Sequence, residues 1–250
     1  MIPIILSTVF MNVCLAQLQT FSIQQATTMD TKLTPDFHIP AASLSVIPLL
    51  FMVLLIPAYD RVFVPLARKL TGIPTGIRPL QRIGVGLVLS AASMAAAGVV
   101  ETRRKSVAVR HGMVDATAPL PTTVFWMGLQ YGIFGMADMF TLTGMLEFFY
   151  AESSKGMKSL STAVSMSSLA FGYFGSTVTV EVVNRASGGW LAGNNLNRDR
   201  LEYFYWLLAG LSVLNFGVYL ACASWYRYKS TNVEVKKSEG LVVKIPVATN

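Results

Sequence analysis

One carboxylate stands in the middle of a long apolar stretch, where ionisation is costly. Asp138 lies at the centre of the run YGIFGMADMFT. If this run is a helix, four side chains share its face: Tyr131, Phe134, Thr141 and Met145. A charge at the centre of a bilayer costs at least about 2.5–3.5 kcal/mol, so such residues usually face a bundle interior or a water-filled cavity. This face therefore predicts a cavity that binds a substrate or a proton. The alternative is a carboxyl group bonded to a neighbouring helix for packing alone.

The first apolar stretch carries a second polar group at helical spacing. Gln17, Thr20 and Gln24 fall on one helix face, and Gln19 lies on the adjacent one. Amides and hydroxyls donate and accept without changing charge, which suits a substrate cavity. They also join membrane helices for about 0.6 kcal/mol each, so packing stays an open alternative. The predicted substrate-binding residues are Gln17, Gln19, Thr20, Gln24, Tyr131, Phe134 and Asp138, with Asp138 also coupling protons.

The elements that position these residues must lie in a membrane. Hydrophobic residues make up 53% of the 250 residues and charged ones only 13%, whereas soluble domains are about 25% charged. Disordered chains are poor in apolar residues. The two cysteines, Cys14 and Cys222, lie in apolar stretches and do not form a disulfide framework. The composition therefore predicts an all-α integral membrane protein.

Six segments are long and apolar enough to cross a bilayer, which takes about 20 residues of helix. They form a six-helix bundle spanning residues 1–229, followed by a disordered cytoplasmic tail at 230–250. The predicted segments are about 3–28, 39–59, 80–100, 120–149, 159–184 and 201–226.

The basic residues indicate an orientation. Between and after the segments, one side of the membrane collects twelve Lys and Arg, Arg82 among them, and the other eight, Arg104 among them. Glu147 lies near the end of its segment, where we expect it to reach water or a basic loop. By the positive-inside rule the richer side is cytoplasmic, which places both termini there. Basic flanks also account for the net charge of +7, so no nucleic-acid partner is expected.

No pattern typical of catalysis occurs. The sequence contains no CxxC, HExxH or GxxxxGK[ST] motif, and no specific Ser-His-Asp arrangement. His38 and His111 lie in predicted loops without a cluster of metal ligands. We therefore expect neither an enzyme nor a cofactor or metal.

Several strings resemble a known transporter family. YDRVFVPLARK, at 59–69, resembles the acidic-basic cytoplasmic loop of the major facilitator superfamily. LEFFYAESSKGMKS, at 146–159, is similar to the signature after the tenth helix of the proton-dependent oligopeptide transporter family. IRPLQRIG, AQLQTFS and WLAGNNLNR, at 77–84, 16–22 and 190–198, resemble its plant nitrate and peptide branch. The subgroup that they most resemble is associated with abscisic acid, gibberellin and nitrate.

The resemblance implies a major facilitator fold of twelve helices, in which the six segments are helices 7 to 12. It implies gating roles for the cytoplasmic loop residues Asp60, Arg61, Arg68 and Lys69. The family's proton-coupling motif in its first helix is absent here, so we expect Met1 to be an internal start, a truncated gene model or a splice product.

The resemblance also bears on the substrate. The nitrate-binding histidine of one family member falls at Leu15, and the helix-10 glutamate of peptide-transporting members falls at Asp138. A small organic anion such as abscisic acid, or nitrate, is the expected substrate of proton-coupled transport, with the plasma membrane as the expected location. The missing N-terminal bundle is the expected partner. A second hypothesis is a non-transporting six-helix fragment that associates with a full-length relative.

Overall fold

A computed structural model describes residues 2–34, 37–38, 40, 43, 46–59, 61, 64–71, 77–115, 119–152, 158–193 and 195–225. Helices dominate this part of the chain, and the strands are two to four residues long. The helices are α1 (Ile2–Thr27), α2 (Val46–Ala58), α3 (Val64–Thr71), α4 (Pro79–Arg110), α5 (Met127–Glu152), α6 (Lys158–Ser187) and α7 (Leu201–Trp225). The strands are β1 (Met29–Asp30), β2 (Lys32–Thr34), β3 (Phe37–His38) and β4 (Leu120–Thr123). The predicted disordered tail lies outside the described residues.

Three of the described helices are long and apolar enough to cross a membrane: α1 over Pro3–Thr27, α4 and α7. A helix of 25 residues spans about 38 Å, more than the roughly 30 Å of a hydrocarbon core. The helices α5 and α6 match them in length, with 26 and 30 residues. The all-α membrane fold predicted from composition is therefore confirmed, and six crossings stay a prediction.

Three helix ends differ from the predicted segments. The second segment was expected to begin near residue 39, but α2 begins at Val46. The third segment was expected to end near Val100, but α4 continues to Arg110 because the polar residues that follow are partly buried inside the bundle. The fourth was expected to begin near Leu120. Residues Leu120–Thr123 instead form β4, and α5 begins at Met127 after one 3₁₀ turn. Pro121 explains the strand, since a residue before proline favours extended backbone.

The short strands tie helix ends together. Strand β1 pairs with β4 in parallel, and the backbone N–H of Leu120 donates to the Thr28 carbonyl at 2.9 Å. The end of α1 therefore lies beside the start of α5, and these two helices run in opposite directions. We call this end of the bundle the loop end, and the opposite end, where α4 begins and α7 finishes, the tail end.

Small residues allow the closest helix contacts. A Cβ at Gly86 of α4 would overlap the Oγ1 of Thr141 on α5, and one at Gly172 of α6 would overlap Asn12 of α1. Gly172 thus lets α6 approach α1 closely, as small residues do between membrane helices. On α5, Gly132 faces the Phe51 ring of α2, which would lie 3.3 Å from an added Cβ, whereas Gly128 has open space around it.

Candidate functional site

Asp138 lies near the midpoint of α5, which runs from Met127 to Glu152. Its side chain is partly exposed, and within the described ranges it has neither a hydrogen-bond nor an ion-pair partner. Tyr131 and Phe134, predicted to share its face, are fully buried in the apolar core. Asp138 therefore lies at the border between the packed interior and an accessible surface, halfway along a helix of membrane length.

The inner face of α5 holds further polar atoms. The Oε1 of Gln130, the hydroxyl of Tyr131 and the Oγ1 of Thr141 are buried and have no hydrogen-bond partner in the described part of the chain. The Nε2 of Gln130 donates to the Oγ of Ser22 on α1 at 2.9 Å. Buried polar atoms normally find partners, so three unsatisfied atoms on one helix are an unusual feature of this face.

The predicted residues of α1 divide into two pairs. Gln17 is buried, and its Nε2 donates to the Ser176 carbonyl of α6 at 2.8 Å. The Oε1 of Gln19 accepts from the hydroxyl of Tyr173, which is also on α6. Thr20 and Gln24 are exposed, and the Thr20 hydroxyl donates to the backbone of its own helix. The structure thus does not gather all the predicted residues into one cavity. The amides of Gln17 and Gln19 join α1 to α6, as the packing alternative anticipates.

Tyr173 of α6 is the residue that sequence reasoning missed. Its hydroxyl donates to the Oε1 of Gln19 at 2.5 Å, and 44% of its surface is exposed. An aromatic residue on an apolar helix is usually core, so its type and position carried no signal. Its hydrogen bond to Gln19 of α1 makes Tyr173 a candidate site residue, because the two side chains together present an amphipathic surface.

At the tail end an ion pair joins two of the strings that carry the family resemblance. The Nη1 of Arg82 lies 2.6 Å from the Oε1 of Glu147, and Arg82 also lies over the ring of Tyr59. Sequence reasoning assigned Arg82 to a loop and expected Glu147 to reach water or a basic loop. The structure corrects the first assignment: Arg82 is part of α4 and buried, and it is the partner of Glu147 on α5.

The predicted gating residues lie in the segment that joins α2 to α4. Arg68 and Lys69 form the last turn of α3 and are exposed, as is Arg61. Asp60 lies outside the described residues. No salt bridge among the described residues involves Arg61 or Lys69.

A second buried ion pair closes the loop end. Glu101 and Arg104 are fully buried on α4, and the guanidinium binds both carboxylate oxygens, at 2.6 and 2.8 Å. Arg104 also donates to Thr28 and to Asn197, and Gln25 of α1 donates to Glu101 at 2.6 Å. This network fixes the end of α1 and the α6–α7 loop to α4.

Sequence reasoning counted Arg104 among the loop charges, as it did Arg82. Both assignments are wrong, because each arginine lies inside α4 with a carboxylate partner. Lys105 also lies inside α4, with Glu202 as its carboxylate partner, so the two sides of the charge count lose one and two residues and the richer side stays the same. The predicted orientation is therefore unaffected and stays a prediction.

Known proteins resemble this chain in sequence and in fold. A family model described as POT family matches residues 1–195. Two relatives from Arabidopsis thaliana, Protein NRT1/ PTR FAMILY 4.6 and 4.5, are 49% and 51% identical over 236 residues. The alignment covers 92% of this chain, and 40% and 41% of those relatives, so the chain spans about two fifths of their length.

Among solved structures, an auto-inhibited POT family peptide transporter matches with a TM-score of 0.62 and 20% sequence identity. The match covers 92% of this chain and 42% of that one. The POT family transporter PepTSo gives a TM-score of 0.61 at 19% identity. These two likenesses establish a common fold.

Proposed function

The chain belongs to the POT family, and we propose that it supplies the C-terminal bundle, helices 7 to 12, of a proton-coupled secondary transporter. Its match to about two fifths of the length of its relatives supports this assignment. Transporters of this architecture bind substrate near the bilayer midplane, between two repeats. One bundle supplies one wall of such a site, and the second wall comes from an N-terminal bundle.

The observation that carries the proposal is the Asp138 carboxyl group, which is partly exposed and unpartnered halfway along α5. An ionisable group at this depth costs several kcal/mol unless it faces water or a partner, so its presence favours a functional role. The exposed hydroxyl and amide of Thr20 and Gln24, with the Gln19–Tyr173 pair, supply neutral donors and acceptors for a bound molecule.

The substrate is a small organic anion or nitrate, and a plant hormone such as abscisic acid suits the mixture of aromatic and amide groups. Within the described part of the chain no cation pairs with Asp138, so an anion meets a like charge there unless the carboxyl is protonated. Binding of a proton and of an anion therefore favour each other. Uphill entry of the anion follows from an inward proton gradient.

In cells we place this bundle in the plasma membrane with its tail end in the cytoplasm. There Arg61, Arg68 and Lys69 are exposed and can exchange partners with an N-terminal bundle as the transporter opens and closes. Asp60 joins them in this gating role.

The test is the pH dependence of uptake in liposomes that contain this chain and the N-terminal half of a full-length relative. The wild-type pair should take up labelled abscisic acid or nitrate faster when the outside is acidic. Asp138→Asn keeps the size and polarity of the side chain but binds no proton. Its uptake should be insensitive to the pH gradient.

Glu181→Gln is the matched control, because Glu181 is an exposed carboxylate of α6 paired with Arg185 on the same helix. It should retain the full response to pH. Asp138→Glu should retain a response as well, since it restores a titratable group. An Asp138→Asn protein whose uptake rises with acidity as in the wild type would contradict the assignment of proton coupling.

A further inference from the structure

A long apolar groove runs between α4 and α7, apart from the candidate transport site. Its volume is about 540 Å³. Leu80, Gly84 and Val88 line it from α4, and Phe216, Tyr219 and Leu220 line it from α7. Val88 and Leu220 are about half exposed, so the groove opens on the outer surface of the helix pair.

The groove occupies one half of the helix pair. It extends along α4 from Leu80 to Leu89, nine residues or about 14 Å of helix. Half of a hydrocarbon core is about 15 Å thick. Towards the loop end the groove is closed, because the indole of Trp206 packs against Gly98, where an added Cβ would lie 3.1 Å from the indole nitrogen. The length of the groove along α4 therefore equals the thickness of about one leaflet.

Its mouth carries a positive charge. Arg78 lines the groove at the tail end, directly before the first residue of α4, and is exposed. Among the described residues no salt bridge engages it. Gln81 lies beside it in the groove lining, and Trp225 at the end of α7 is 91% exposed. Arginine and tryptophan side chains at helix ends are typical of the level of lipid headgroups.

We propose that this groove binds an anionic phospholipid, with one acyl chain between α4 and α7 and the phosphate on Arg78. The apolar lining suits a lipid acyl chain, and the groove is about as long as an acyl chain in one leaflet. The positive guanidinium complements the negative charge of the lipid headgroup. A helix from a second copy would cross both leaflets and would meet the closed region at Gly98 and Trp206. The short length of the groove therefore favours a lipid over a helix from a second copy.

Gly84 contributes to the depth of the groove. A Cβ there would lie 3.4 Å from the Tyr219 ring, and a longer side chain would fill the space between the helices. The Tyr219 hydroxyl donates to the Leu80 carbonyl at 2.6 Å and holds α7 against the start of α4. The groove is thus formed by fixed side chains. With the tail end in the cytoplasm, as proposed above, the bound lipid lies in the cytoplasmic leaflet; the binding itself does not require transport.

Native mass spectrometry of the full 250-residue chain in detergent tests the proposal. Phosphatidylglycerol and phosphatidylcholine are titrated separately, and the lipid-bound fraction of the monomer is measured. Phosphatidylglycerol should bind about fivefold more tightly, the preference that one arginine near a bilayer surface supplies. Arg78→Gln should remove that preference while leaving phosphatidylcholine binding unchanged.

Val88→Phe, which fills the groove, should weaken the binding of both lipids. The matched controls are Arg110→Gln, at the other end of α4, and Val99→Phe, an exposed valine of α4 outside the groove lining. Both should bind lipid like the wild type. An Arg78→Gln protein that keeps the preference, a Val88→Phe protein that binds normally, or dimers that form in place of lipid adducts would each overturn the proposal.

Discussion

Replacing Arg104 by Met removes the cation from a pair whose two side chains are completely buried. Within the described part of the chain, the Glu101 carboxylate then keeps one side-chain partner, the Nε2 of Gln25. Removing one member of a buried ion pair costs about 3–5 kcal/mol, because the other charge stays in a medium that solvates it poorly. The network also fixes α1 and the α6–α7 loop to α4, so the loss should destabilise the whole loop end.

Removing the anion instead of the cation, by Glu101→Gln, should cost less stability. Glu101→Gln leaves Arg104 bonded to Thr28, Asn197 and the Leu196 carbonyl. The double variant Glu101→Leu with Arg104→Met removes both charges and should recover part of the lost stability. We therefore expect Arg104→Met to be the least stable of the three.

Cys14 provides the assay, since its thiol is fully buried and free. A thiol-reactive dye added to the detergent-purified chain reports unfolding as Cys14 becomes accessible, with Cys222 replaced by Ser in every sample. On the scale of roughly 2–4 °C per kcal/mol for chains of this size, Arg104→Met should lower the thermal midpoint by about 6–20 °C. Arg185→Met removes an exposed ion pair and should change it by about 0–4 °C. If Arg104→Met lowered the midpoint no more than Arg185→Met or Glu101→Gln, the account of the network would be refuted.

Of three further predictions, the first two use the same assay, and the third follows the thermal midpoint by circular dichroism because thiols react poorly in acid. Arg82→Met should cost about 1–3 kcal/mol, less than Arg104→Met, because the Glu147 side chain is 37% exposed whereas that of Glu101 is fully buried; an equal loss would argue against this difference in burial. Gly172→Leu should cost about 1–3 kcal/mol through overlap with Asn12, whereas Gly210→Leu, with open space around it, should be nearly neutral; similar effects would contradict the close contact of α1 and α6. The hydrogen bond and charge of Arg198 lower the pKa of Asp115 below its usual 3.8. Asp115→Asn should therefore be slightly less stable than the wild type above that pH, and the difference should disappear as the pH falls through the lowered pKa. A difference that persists in acid would contradict this prediction.

The sequence was sufficient for the fold class and the family. Low charge and long apolar stretches predict membrane helices whatever their neighbours, and the string containing Glu147 indicated the transporter family. The depth of Asp138 within its segment could also be predicted, because position along an apolar run is a local property. Its lack of a partner could not be, since that depends on which helices pack beside α5.

Other features needed the packed structure. Arg82 and Arg104 look like loop charges because each follows or precedes an apolar run, yet their carboxylate partners let α4 include them. The role of Gln17 also depends on its neighbour: its helical spacing fits a cavity and a helix contact equally well, and the Ser176 carbonyl accepts from it. Tyr173 gave no signal, because an aromatic residue is common on any membrane helix.

The central claim, that this chain forms one half of a proton-coupled transporter, is tested most directly by comparing uptake in two sets of liposomes. One set contains the chain alone, and the other contains the chain with the N-terminal half of a full-length relative. We predict proton-driven uptake of labelled abscisic acid or nitrate in the second set and none in the first. Uptake by the chain alone, or none when both halves are present and folded, would contradict the account.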